Sequence, residues 1–314
     1  MPKVSILLSI YKSEKYLEHF LPSVKAQTIW NEAEFIITAN DVSTVEKTIL
    51  DEFYNENKSN TKILYTKREN LYASWNRCIN HATGEYFAIA NVDDIRTPGS
   101  LESQIKLLDQ NKNALFCYGD HIVVSKFLST DGELIKTSNV PKSEFTRSMI
   151  IGPFFVWRKT DNPAIAYFDE QFKSGGDFDF AIRLAVHGEG VRVNGILGYY
   201  YYGNTGLSTG SELQPIERTF IELRYGIYDK IDYNYLPDAV RYNIPYILEN
   251  GTWRHISFFV PGYDDLLVQR RREWFSKGVT RYYKRFKEEK GYLNLLKRLI
   301  GNIKKKVKTA LFRG

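Results

Sequence analysis

The chain has 314 residues, 43% hydrophobic and 15% aromatic, enough for one large α/β domain with an appendage or for two small domains. Its net charge of +6 is uneven: residues 281–314 hold twelve Lys/Arg against Glu288 and Glu289, a local +10 that leaves the rest at −4, so the body offers no electrostatic case for nucleic acid. No apolar run nears the ~18 residues that span a bilayer. A strand pattern from Val4 leaves no room for a signal peptide, and Cys78 and Cys117, without zinc or redox spacing, suit a reducing cytoplasm.

Residues 4–10 read as a buried strand ending at Tyr11-Lys12. Ser13 caps a helix carrying Tyr16, Leu17, Phe20, Leu21 and Val24 at helical spacing, with a bend at Pro22. Residues 35–39 form a second strand ending in Asn40-Asp41, and 43–54 a helix. A third strand over 62–66 leads to Lys67-Arg68, and a helix over 71–82 ends at Gly84 as at a C-terminal glycine. The fourth strand, 86–90, discharges into Asn91-Val92-Asp93-Asp94. Adjacent carboxylates repel unless a cation or water lies between them, and open α/β sheets bind ligands beyond the carboxyl ends of their strands. The motif therefore points to a divalent cation holding a phosphate-bearing ligand; the other reading is a solvated loop whose Asp93 or Asp94 caps the helix after Pro98. A helix over 99–109 and a strand over 114–118 complete an α/β alternation that predicts a mostly parallel sheet flanked by helices.

Beyond Asp120, runs at 122–124 and 133–135 around Asp131-Gly132 predict a hairpin-like excursion. A strand over 152–158, a helix over 178–187 and short strands at 191–193 and 196–200 close a domain spanning 1–210. A helical, aromatic-rich C-terminal extension follows over 211–280, then a basic amphipathic tail over 281–314. The tail's apolar stripe and lysine face suit an anionic membrane surface, or packing on the body or another subunit. The five histidines show no mutual spacing for a metal, and Trp75 and Trp157 read as core or seam residues, with Trp157 also open to lining an acceptor.

Taken in order, Val4-Ser5-Ile6, Tyr16-Leu17, Ala26-Gln27-Thr28, Asn40-Asp41-Val42-Ser43-Thr44, Asn76, Ala82-Thr83-Gly84-Glu85-Tyr86 and Val92-Asp93-Asp94 resemble the family 2 glycosyltransferases of GT-A fold, over roughly residues 3–210. The resemblance implies an inverting, hexosyltransferase-type enzyme. It would move a sugar from a nucleotide donor, usually UDP-linked, to an acceptor hydroxyl with Mn²⁺ or Mg²⁺. It further implies a saccharide or lipid-linked saccharide acceptor in cell-envelope polysaccharide synthesis. The place of work would be cytoplasmic, peripheral on the inner face of the cell membrane where the tail can dock.

By the same resemblance Ser9 and Tyr11 meet the nucleotide's base and ribose, Asp41 accepts from uracil or ribose, and Arg68 steadies the base or a phosphate through its planar fork. Asn76 supports the site. Asn91 takes the first place of an Asp-x-Asp-Asp motif, Asp93 the metal-binding place and Asp94 that of the extra carboxylate. The family's Glu-Asp base pair reads Gly176-Asp177, making Asp177 the general base, with a helix N-terminus to keep it ionised. Residue by residue, plainer readings stand beside these: a packing tyrosine at 11, a helix cap at Asp41 or Ser43, a solvated Arg68, an N-cap at Asp177. Asp179 is read as facing solvent or a basic partner, and Asn204 as the one side chain of its loop able to add a metal ligand. No Gly-x-Gly-x-x-Gly or Walker loop follows the first strand, which excludes the dinucleotide and P-loop classes. A catalytically degenerate sugar- or nucleotide-binding module is the alternative, kept open by Asn91 and Gly176.

Overall fold

A computed structural model describes residues 1–203, 212–278, 280 and 287. The chain opens on β1 (Val4–Ile10), α1 (Glu14–Lys25), β2 (Ala33–Asn40), α2 (Thr44–Glu56), β3 (Thr61–Thr66), α3 (Leu71–His81) and β4 (Tyr86–Ala90). Strands β3, β2, β1 and β4 lie side by side and all parallel, with Leu8 opposite Ala90 and Ser9 opposite Thr38. β1 is covered on both faces, which is why it reads as a nearly unbroken apolar run. On one face Leu17, Phe20 and Leu21 of α1 pack with Ile6, Leu8, Phe35 and Ile37. Helix α1 runs through Pro22, and α2 is held at its start by a capping box in which Ser43 Oγ accepts the Glu46 N–H while Glu46 accepts the Ser43 N–H at 2.9 Å.

Next come β5 (Ile95–Arg96), α4 (Ser100–Gln110), β6 (Ala114–Val124), β7 (Glu133–Ile135), α5 (Lys142–Phe145), β8 (Val156–Arg158), α6 (Gly176–His187) and β9 (Glu189–Tyr201). β8 inserts antiparallel between β4 and β6, β9 runs parallel to β6, and β5 closes the edge against β9. β7 pairs with β6 as the expected hairpin excursion, Ile122 opposite Leu134. The sheet is thus mixed α/β with one wholly parallel half, in line with the expected class. The two short strands expected near 191–200 are one strand, whose register against β6 shifts at bulges.

Beyond β9 come α7 (Leu213–Arg224), the short α8 (Leu236–Ala239) and an antiparallel hairpin, β10 (Tyr246–Glu249) with β11 (Thr252–His255). The hairpin is an addition to the expected helices. Its turn is Asn250-Gly251, both with positive φ (46° and 72°), the pair that a two-residue turn demands. Contacts divide the chain into Met1–Tyr263 and Asp264–Gly314; the second unit is helical from 264 through 278. Most of the tail over 281–314, and Asn204, fall outside the described residues.

One further expectation is corrected, and two open readings are decided. Gly84 is not a helical C-cap glycine: α3 ends three residues earlier, and a Cβ at Gly84 would stand 2.7 Å from Ser5 Oγ and 2.8 Å from Ser5 N. Its N–H donates to Ser5 Oγ and Glu34 Oε1, so glycine is needed for close approach to β1. Trp157 takes its core reading rather than that of an acceptor wall: it is 1% exposed, its ring within 5.3–6.0 Å of those of Phe87, Phe155, Phe168 and Phe180. Of the two readings open for Asp179, solvent or a basic partner, the structure takes the second. Asp179 is wholly buried, bonded to Arg183 Nε (2.9 Å), Arg224 Nη1 (2.8 Å) and the Tyr225 hydroxyl (2.7 Å).

The same Arg224 bonds Asp169 at 2.8 Å and the carbonyls of Ile244 and Tyr246, joining α7, α6, the segment before α6 and the hairpin. Burial alone would raise the Asp179 carboxyl, but Arg183 and Arg224 hold it below the ordinary carboxylate range. Removing one partner of a buried pair strands the other charge. We expect Arg224→Met to lower unfolding free energy by ~3–5 kcal/mol, read by urea denaturation, with an unchanged midpoint telling against the network's role.

Candidate active site

The parallel half of the sheet ends its strands on one edge, and a cleft of about 830 Å³ opens there. Its walls include Ser9 near the end of β1, Tyr11 and Lys12 just after it, Lys15 in the first turn of α1, Arg68, Glu69 and Asn70 after β3, Asn91 and Asp93 after β4, and Lys173 and Leu213 from later in the chain. Four cationic side chains face two carboxylates, an excess suited to a polyanionic ligand. Of the expected site residues, Ser9, Tyr11, Arg68, Asn91 and Asp93 converge on this cleft.

The Arg68 guanidinium lies over the Tyr11 ring, 3.5 Å from its centroid, so the two form a single stacked platform. Ser9 Oγ accepts from Asn40 Nδ2 at 3.0 Å, and Asn40 Oδ1 accepts the Glu69 N–H at 3.1 Å, so one buried amide ties the exits of β1, β2 and β3. Asn70 caps α3 through the Ala73 N–H. Asn76 supports rather than lines: it bonds the Phe168 backbone in both directions and Glu170.

Asp93 and Asp94 point to different environments. Asp93 lies at the cleft, where burial raises its carboxyl and Lys15 offsets part of the effect. Asp94 is 5% exposed and is not among the cleft's walls; its oxygens accept from Asn91 Nδ2 (2.9 Å) and the Tyr201 N–H (3.0 Å). Burial, then the neighbouring Asp93, push Asp94 up to about 8. Asn91 is explained by this contact: its amide donates to Asp94, whereas an ionised aspartate there could not and would add a like charge beside Asp93. Asp41, exposed at the end of β2 with a φ of 43°, is also not among the cleft's walls, and the helix cap is Ser43.

Asp177 is the second residue of α6, not its cap; Gly175 holds the cap position, and Asp177 Oδ1 accepts the Phe178 N–H at 2.9 Å. It is not itself a wall of the cleft, but the segment leading to it contributes Lys173, and Tyr72, next to the wall residue Leu71, packs on its turn. A Cβ at Gly176 would stand 2.8 Å from the Tyr72 ring, so no glutamate fits at this position. Burial pushes Asp177 up to about 6 against the N–H groups of Phe178 and Asp177, with Glu217 adding to the rise and Tyr72 opposing it. The helix terminus, expected to hold this carboxylate down, is outweighed by desolvation.

Sequence reading missed Lys12, Lys15 and Lys173; for the first two, position just past a strand that ends at the ligand edge was an available signal. No group of three or more His, Cys, Asp or Glu side chains placed to hold a metal occurs among the described residues, and no helix there is long and apolar enough to cross a membrane.

The profile of Glycosyl transferase family 2 matches residues 5–156. The chain is 29% identical over 201 residues to an uncharacterized glycosyltransferase, MJ1057, of Methanocaldococcus jannaschii, covering 59% of this chain and 66% of that protein. It is 25% identical over 213 residues to the poly(ribitol-phosphate) beta-N-acetylglucosaminyltransferase TarS of Staphylococcus aureus, covering 64% of this chain and 35% of TarS. The chain thus spans between about a third and two thirds of these relatives' length. Among solved structures, S. aureus TarS 1–349 in complex with UDP-GlcNAc shares the fold at a TM-score of 0.58, with 19% identity over 74% of this chain and 68% of that one. The mannosyltransferase PcManGT of Pyrobaculum calidifontis, solved with GDP-Man and Mn²⁺, does so at 0.53, with 12% identity over 89% of this chain and 80% of that one. The profile spans the strands that build the cleft and the fold neighbours share the GT-A architecture, so residues 5–156 match the family 2 glycosyltransferases.

Proposed function

We propose that the protein transfers a sugar, with inversion, from a nucleoside diphosphate donor to a saccharide hydroxyl. The observation that carries this reading is the convergence of Ser9, Tyr11, Arg68, Asn91 and Asp93 on one cationic cleft, with Asp177 on the turn beside it. The Tyr11–Arg68 platform and Ser9 receive the nucleoside, and Lys12, Lys15 and Lys173 offset the diphosphate's charge. Uridine is the base favoured, by family habit and by the UDP-GlcNAc complex of a fold neighbour.

A divalent cation, Mn²⁺ or Mg²⁺, fits here as an ion shared with the donor: Asp93 supplies one carboxylate, and such ions commonly take one or two carboxylates plus substrate phosphates. When bound it supplies charge neutralisation for the departing diphosphate. Asp94 serves by orienting Asn91 and the end of β9, not by touching the ligand. Asp177 takes the proton of the acceptor hydroxyl as its oxygen bonds to the anomeric carbon and the bond to the diphosphate breaks. A carboxylate near 6 is mostly ionised at neutral pH yet more basic than an ordinary aspartate. Gly176 and Asn91 give the degenerate-module reading no further support, since each answers a local packing or charge demand.

The acceptor class, cell-envelope or lipid-linked saccharide, and membrane docking by residues 281–314 belong to the same proposal, supported by family habit and tail charge. Vesicles containing anionic lipid should pellet the full chain and leave a form lacking 281–314 in solution; equal pelleting removes the docking role.

In a donor panel with Mn²⁺, Asp93→Ala should lose metal-dependent thermal shift, whereas Asp177→Asn should keep it and lose ~10²–10⁴-fold in transfer rate. Binding without turnover in the wild type would instead establish the degenerate module. Because Asp177 acts ionised, kcat/KM should rise with pH and level off above about 6. Its folded-state value lies above the ordinary 3.8, so the fold holds the proton more tightly than the unfolded chain, and stability falls as pH rises between the two. Asp177→Asn, free of this penalty, should match the wild type near pH 3.5 and exceed it by ~1–3 kcal/mol at pH 7. Parallel stability curves across that window would refute the shift.

A further inference from the structure

The segment that delivers Asp177 is held from below by a residue outside the family match. Glu217 on α7 is wholly buried. Its Oε1 accepts the Lys173 N–H (2.9 Å) and the Tyr242 hydroxyl (2.8 Å); its Oε2 accepts the Ser174 N–H (2.8 Å) and the Gly175 N–H (2.7 Å). Four donors fill the acceptor positions of two oxygens, and three of them are backbone amides that can only donate. Three consecutive backbone amides on one carboxylate leave that stretch little freedom. Gly175 completes the fit: a Cβ there would lie 3.2 Å from Glu217 Cβ and 3.3 Å from Ile221 Cδ1. Phe172, Phe220 and Tyr242 stack around the carboxylate's support, with ring centroids 4.9–6.0 Å apart.

We propose that Glu217 is a positioning residue for the transfer reaction: by fixing the backbone of 173–175 it sets where Asp177 stands, and its charge sets how readily Asp177 takes the acceptor's proton. This rests on the reading of Asp177 as the base. The groups that face Asp177 are Tyr72 from α3, Glu217 from α7, and the backbone N–H groups of its own turn. Of these Glu217 is the one like charge, and it favours the protonated form. Tyr72 and the amides pull the other way, so the balance depends on a carboxylate 42 residues from the loop it holds.

The test compares wild type with Glu217→Gln by two independent readouts: titration of the Asp177 carboxyl by ¹³C NMR, and steady-state kinetics against pH. Glu217→Gln keeps size and some acceptor capacity but loses the charge. Its Asp177 titration should move down by ~0.5–1 pH unit, with the acid limb of kcat/KM following. Its kcat should fall by ~10–100-fold with donor KM nearly unchanged, since a misplaced base affects the chemical step more than donor binding. A titration that stays in place overturns the proposal, whatever happens to kcat, because a merely structural carboxylate would change stability and not Asp177. If the wild type consumes no donor, the functional reading fails while the NMR arm still decides the role of Glu217. Should Glu217→Gln not fold, Tyr242→Phe carries the test: it leaves the carboxylate but removes one of its four donors. Asp177 should then titrate higher and kcat should fall; no change in either overturns the proposal.

Discussion

A guanidinium with no solvent contact, that of Arg224, decides how the later chain meets the sheet. Arginine keeps its proton in a protein interior, so it persists there only if carboxylates and carbonyls surround it. Here Asp169, Asp179 and the carbonyls of Ile244 and Tyr246 do so, from three separate pieces of chain. Because Asp179 lies two residues beyond Asp177, the pairing that anchors α7 also fixes the first turn of α6. The price is a rigid, charged joint where an apolar one would have been simpler; the return is a wall of the cleft that cannot drift from the strand edge.

The strand edge answers to a different constraint. Parallel pairing of β1 with β2 and β4 sets Ser9 opposite Thr38, two residues short of Asn40, with Asn91 just past Ala90 of β4, and the buried Asn40 amide ties neighbouring loops together. Two adjacent carboxylates then divide their work by environment. Asp94 turns inward to donors from Asn91 and Tyr201, which leaves Asp93 as the charge presented to the cleft. Asn91 is where the chain departs from an acidic motif, and it is also one of the two donors that the buried Asp94 accepts from. A local exception to a family pattern is here a requirement of packing.

The base side shows the same coupling between distant elements. Tyr72 of α3 occupies the space that a side chain at 176 would need, and Glu217 of α7 gathers the amides of 173–175. Between them Asp177 is raised although it sits on a helix's first turn, where dipole and amides favour the anion. Desolvation outweighs those terms because the aromatic ring and α7 exclude water from the turn.

Periodicity and strand-end position sufficed for the parallel half-sheet and for the edge where a ligand would lie; it was the family resemblance that singled out Ser9, Tyr11, Arg68, Asn91 and Asp93, which border the cleft at that edge. Strand and edge are properties of neighbouring residues: an apolar run makes a strand, and the residues just past the run lie at its end. The Asn250-Gly251 turn carried an equally local signal, one that the expectation of helices passed over, since a positive φ at two successive positions selects those residue types. The inward turn of Asp94, the clash that makes Gly84 and Gly176 glycines, the burial of Asp179 and the grip of Glu217 were settled only by tertiary contact. Their partners lie far along the chain, and a glutamate on a helix carries no mark telling whether it will face water or a row of amides.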